Sequence, residues 1–248
     1  MISVRGVARA VVVAAVLVSC INGIAPCAWA DTVPINGLFN TGVNSNGGLL
    51  ADGAIDPHYT LISSPNQAFL GSNTFVFGKN STWLPPFEYP FPFWTPNTLI
   101  SQWITPFTDS SFPLTWLPSG VYTYSTTFFL PDTFNPSADE AFITGMWATD
   151  NNAIDILING QSTGNSIPTN GAFYSLHPFS IRSGFEPGLN TLNFIFNNDG
   201  PGASGIQVQM QGDGIPEPAP VPEPVSLVSG AMGLACVGAY LRRRRRMR

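Results

Sequence analysis

The chain has 248 residues, is 44% hydrophobic and only 10% charged, and carries a formal net charge of −5. Residues 31–215 hold two basic side chains, Lys79 and Arg182, against thirteen acidic ones, a formal charge of −11 that repels phosphate backbones and argues against a nucleic-acid partner. The three cysteines, Cys20, Cys27 and Cys236, fall outside that stretch, so a disulfide staple, a thiol nucleophile and a cysteine zinc site are excluded within it.

At the start, Arg5 and Arg9 precede an apolar run over 10–18, and small residues lead to Ala28-Trp29-Ala30 before Asp31. That order predicts a secretory signal peptide over 1–30, cut after Ala30. The run is too short for a spanning helix, which needs about 20 apolar residues. Leu17-Val18-Ser19-Cys20 also resembles a bacterial lipobox, which would make Cys20 a lipidated N-terminus. A second anchor at the other end makes lipidation redundant.

Residues 31–215 are expected to form one exported domain. In its first half, Asn40-Thr41-Gly42-Val43 and the stretch 52–59 suggest turns around early strands. From Trp83 to Trp116 prolines and aromatics crowd together, which suits edges and long loops better than central strands. Trp83, Trp94, Trp103 and Trp116 are the candidate flat platforms for sugar rings, provided that they are exposed. Trp147, inside an apolar strand, is expected in the core.

The second half carries the clearer strand signal. Strands are predicted over 121–130, 141–149, 153–158 and 172–181, and around Leu192-Asn193-Phe194-Ile195-Phe196 and 206–211, where apolar residues alternate with polar ones. Asn159-Gly160 directly after Ile158 predicts a hairpin turn, because both residues tolerate positive φ. Within 31–215 helical periodicity is not sustained over three turns. The expected fold class is therefore all-β, a two-sheet antiparallel β-sandwich. Over 121–211 the stretches 126–131, 145–151, Ile158-Asn159-Gly160 and 188–194 resemble the galactose-binding-like jelly roll of carbohydrate-binding modules, which implies a sandwich scaffold and leaves the ligand open.

Few constellations suggest catalysis. His58 and His177 are the only histidines, each alone in its segment, and Gly202-Ala203-Ser204-Gly205 lacks the spacing of a serine-hydrolase elbow. A glycoside hydrolase would need two carboxylates at a defined separation, which a sequence does not measure. Asp150-Asn151-Asn152 and Asp155, joined in space by Asn197, Asn198 and Asp199, could supply oxygen ligands to calcium. Turn chemistry accounts for the same residue types without a metal.

The chain ends in a proline-rich linker over 216–224, an uncharged run over 225–241 long enough for a short membrane-spanning helix, and the basic tail 242–248. Basic flanks stay cytoplasmic, so the folded domain is expected outside. Val221-Pro222-Glu223-Pro224, the glycine-containing apolar run and Arg242, Arg243, Arg244, Arg245 and Arg246, in that order, resemble the PEP-CTERM sorting signal. The resemblance implies processing by an exosortase-type membrane enzyme and delivery to the cell surface or extracellular matrix, in a setting of exopolysaccharide and biofilm. Together these features predict a non-catalytic surface module that binds a neutral polysaccharide or serves structurally, with a carboxylate-pair hydrolase as the alternative.

Overall fold

The computed structural model describes residues 32–71, 74–77, 93–107, 117–137 and 140–216. The signal peptide, Cys20, Trp83, Trp116, the linker beyond Pro216, the apolar run 225–241 and the sorting residues Val221 to Pro224 and Arg242 to Arg246 lie outside the described residues. Thr32–Pro216 forms one compact unit.

Among the described residues eleven strands alternate with turns: β1 (Thr32–Pro34), β2 (Thr60–Ser63), β3 (Phe75–Phe77), β4 (Trp103–Thr105), β5 (Gly120–Leu130), β6 (Ala141–Thr149), β7 (Asn152–Ile158), β8 (Gln161–Ser162), β9 (His177–Ile181), β10 (Gly188–Asn198) and β11 (Ile206–Pro216). One sheet runs β3-β4-β11-β6-β9, with β1 also on β11; the other runs β2-β5-β10-β7-β8. Every pairing between these strands is antiparallel. The described residues contain no α-helix, only a 3₁₀ turn at Gln67–Phe69. The all-β, two-sheet sandwich expected from the sequence is therefore present.

Alternation builds the layers. Leu192, Phe194 and Phe196 of β10 are buried, as are Tyr122, Tyr124 and Phe128 of the adjacent β5. Eleven residue pairs hold β10 to β5 in unbroken register, from Gly188 opposite Leu130 to Asn198 opposite Gly120. Across the sandwich, Trp147 of β6 and Phe179 of β9 meet Phe194 with ring centroids 5.9 and 6.2 Å apart. Aromatic pairs at such separations add to the burial of their area. Gly145 sits in the middle of β6 because the Phe179 ring lies across it; a Cβ there would come within 2.5 Å of that ring. A glycine inside a strand marks such a close approach.

The Asn159-Gly160 turn forms as expected, with φ of 49° and 80°, and joins β7 to β8. Its conformation is fixed from outside the hairpin: Asn159 Nδ2 donates to Gly184 O at 2.8 Å, and Thr191 N donates to Asn159 Oδ1 at 2.9 Å.

Three strand boundaries differ from the sequence expectation. Only His177–Ile181 of 172–181 is extended, because 171–175 turn: Tyr174 N donates to Gly171 O. β11 continues to Pro216, since β1 pairs with its end, so the strand takes the first residue assigned to the linker. Trp103–Thr105, within the proline-rich stretch expected to be edge and loop, is a strand between β3 and β11. Between β4 and β1 the same edge of β11 is completed by side chains. Val208 N donates to Thr41 Oγ1 at 2.9 Å and Met210 N to Asn40 Oδ1 at 2.7 Å, so the backbone donors there are satisfied without a strand.

Candidate functional site

The turn from β6 into β7 assembles the polar group singled out in the sequence. Asn151 N donates to Asn197 O at 2.8 Å, Asp199 N donates to Asn151 Oδ1 at 2.9 Å, and Asn197 Nδ2 reaches Asn152 Oδ1 at 3.3 Å. Asn198 turns inward and donates to Leu117 O and Pro118 O. Asp155 is engaged elsewhere, accepting from Ile156 N and from Ser162 Oγ in the β7–β8 hairpin.

Asp150 is the buried member of this group, 4% exposed. Its Oδ2 accepts from Trp94 Nε1 at 2.9 Å, and its backbone carbonyl accepts from Ser204 Oγ at 2.6 Å. Burial pushes the carboxyl up to about 7 against an ordinary 3.8; the Trp94 hydrogen bond opposes the rise and the charge of Asp199 adds to it.

The fit to calcium is poor. Asp150 Oδ2 and its carbonyl are occupied by Trp94 and Ser204, Asp199 Oδ1 accepts from Asn197, and Asn152 Oδ1 does likewise. A calcium ion requires six to eight oxygens turned toward one point. Among the described residues no three His, Cys, Asp or Glu side chains form a group that could hold a metal. The arrangement is that of a hydrogen-bonded turn between β6 and β7, tied to the end of β10.

Two of the proposed sugar platforms are corrected by their burial. Trp94 and Trp103 are 1% and 0% exposed, stacked on each other with centroids 4.2 Å apart. The indole N–H groups go to Asp150 and to Thr95 O, so both rings serve the core and neither face is open to a sugar. Trp147 is buried as expected.

The histidines stay apart from any catalytic pattern. His58 stacks on Phe39 with ring centroids 3.5 Å apart, and its Nε2 is buried without a hydrogen-bond partner. Beside it Asp56 accepts from Gly42 N at 2.6 Å and His58 N at 2.8 Å; burial raises its carboxyl, while these N–H groups oppose the rise. Among the described residues His177 Nε2 meets the Ser175 hydroxyl, at 3.3 Å.

Surface cavities lined by described residues include two. One, of about 430 Å³, is lined by Phe134, Ser137, Glu140 and Arg182, with the guanidinium 5.6 Å from the Phe142 ring centroid. The other, about 480 Å³, lies on the outer face of the β11-β6-β9 sheet and includes Ile100, Thr144, Met146, Pro178, Gln209 and Gln211. Gln209 stands opposite Met146, which stands opposite Pro178; Gln211, Thr144 and Ser180 form the next row. Sequence reasoning did not find this groove, although the glutamine alternation in 206–211 had assigned Gln209 and Gln211 to a face of their own. No protein-family model, curated protein or solved structure matches this chain.

Proposed function

We propose that the chain is an exported surface or matrix protein, sorted by an exosortase-type enzyme through its C-terminal tail. Its β-sandwich acts there as a non-catalytic module on neutral extracellular polysaccharide. Support for the address comes from the order of Val221-Pro222-Glu223-Pro224, the apolar run and the arginines. Within the sandwich class, the galactose-binding-like jelly roll is the scaffold that this reading favours.

The observation that carries the non-catalytic reading is the seclusion of Asp150. Its carboxyl, raised to about 7, has the protonation behaviour that a glycosidase acid requires, and Asp199 is the acidic neighbour that it feels. Yet Asp150 is buried and its carboxyl is bonded to the Trp94 indole, where a glycosidic oxygen has no approach. The sandwich surface is rich in acidic groups, so polyanions are disfavoured and neutral polymers are the better ligands.

Mass spectrometry of the mature C-terminus, in cells with and without the sorting enzyme, tests the address. Loss of Arg248 only when the enzyme is present supports it, and an intact Arg248 on the surface form of normal cells overturns it. Incubation with a panel of polysaccharides tests the module, and hydrolysis abolished by Asp150→Asn would establish the carboxylate-pair enzyme instead.

A further inference from the structure

The outer face of the β11-β6-β9 sheet is covered over one part and open over the next, and the boundary is sharp. Gln207 is fully buried on this face: its Nε2 donates to Ser101 O and Ser101 Oγ, both at 3.1 Å. The covering turn is held by hydrogen bonds. Thr98 Oγ1 accepts from Ser101 N at 2.9 Å and Ile100 N at 3.2 Å, and Asn40 Nδ2 clamps Ile100 O at 3.0 Å. One step further along β11 the cover stops at Ile100, which is 53% exposed, and the groove begins.

Every side chain lining that groove is uncharged, in a domain with thirteen acidic residues. Thr144, Gln209 and Gln211 offer a hydroxyl and two amides that have no hydrogen-bond partner among the described residues. Met146, Pro178 and Ile100 supply apolar surface between and beside them. Strands lie about 4.8 Å apart, so the three-strand floor spans about 10 Å, close to the length of two linked sugar rings. Amides that both donate and accept suit adjacent hydroxyls on such rings, while aliphatic edges suit their C–H faces.

We propose that this groove, bounded by Ile100 and floored by Met146, Gln209 and Gln211, is the binding site for a neutral polysaccharide chain. The inference rests on the module's proposed function and gives it a place. Recognition here works through amides and aliphatic contacts in place of the tryptophans that the sequence suggested. The groove lining itself offers no cation to a uronate polymer, and the acidic excess of the domain repels one.

Affinity electrophoresis of the full-length chain through gels containing dextran, a soluble β-glucan, a galactomannan or alginate tests the site. Retardation by at least one neutral polymer and none by alginate is expected. The double variant Gln209→Ala/Gln211→Ala should then bind that polymer about tenfold more weakly, the loss of two ordinary hydrogen bonds. Arg182→Ala, in the other cavity, should bind as the wild type does. Unchanged melting of each variant separates binding from folding, and Gln211→Glu provides a second variant, expected to weaken binding by placing a charge in the groove. Equal retardation of wild type and both groove variants overturns the site and leaves the module's function standing. No retardation by any neutral polymer overturns both.

Discussion

Residues 120–216 and the described residues between 32 and 107 build the same sandwich by different means. The later region relies on long strands: β5, β10 and β11 each span eleven residues, and long backbone ladders join β10 to β5 and β11 to β6. The earlier region has strands of three or four residues, fastened by side chains that reach across great sequence distance, such as Thr41 to Val208 and Gln102 Nε2 to Gly42 O and Leu50 O. A ladder tolerates many sequences of the right alternation. A side-chain clasp depends on one residue type at one place, so equal-looking substitutions should act globally in one region and locally in the other.

The largest effect is expected at Phe194, where the two sheets meet through Trp147 and Phe179. Phe194→Ala should cost about 3–5 kcal/mol of stability, from lost burial and the cavity left behind. Chemical denaturation measures it, and a loss below about 1 kcal/mol would show that the sheets do not depend on that contact.

Asp150 sharpens the comparison because it joins the regions, its carboxyl accepting from Trp94. Its pKa in the folded protein, about 7, lies above the ordinary 3.8, so folding favours the protonated form. This contribution is fully present at acid pH and is lost as pH rises from about 4 toward 7, by at most roughly 4 kcal/mol. Asp150→Asn keeps an acceptor for the indole and does not ionise. Compared with wild type, it should show a flatter stability profile and should be the more stable protein above about pH 7. Parallel profiles for the two proteins would mean that Asp150 does not titrate in this window.

A smaller and more local effect is expected at Asp56, which accepts from Gly42 N and His58 N. Asp56→Ala leaves two interior N–H groups unpaired and should cost about 2–3 kcal/mol. Hydrogen exchange should reveal the loss of protection around 42–58, with the β5–β10 ladder unchanged. Exchange that rises equally in both regions would erase the distinction drawn between them.

The same contrast explains what was legible in the sequence. Alternation in 120–130, 141–149 and 188–198 reports burial directly, because successive side chains of a strand face opposite ways. β3 and β4 are too short to carry a period, and the prolines around Trp103 signal a loop although three residues pair. The polar group at Asp150, Asn151, Asn197 and Asp199 was legible as a set of residues. Turn chemistry was legible beside the calcium reading; the hydrogen bonds of Trp94 and Ser204 to the Asp150 oxygens were not, because they come from residues 56 and 54 positions away. For the same reason Trp94 and Trp103 could be named but not placed.

Gln207, Gln209 and Gln211 mark the division most clearly. By itself the sequence determined that these three share one face of a strand, opposite Ile206, Val208 and Met210, because the side-chain period of a strand is two. Tertiary structure alone decided that Gln207 is sealed beneath Ser101 while Gln209 and Gln211 floor an open groove. The physical reason is that alternation fixes the direction of a side chain, whereas what lies above it comes from a turn 106 residues away, held in place by its own hydrogen bonds.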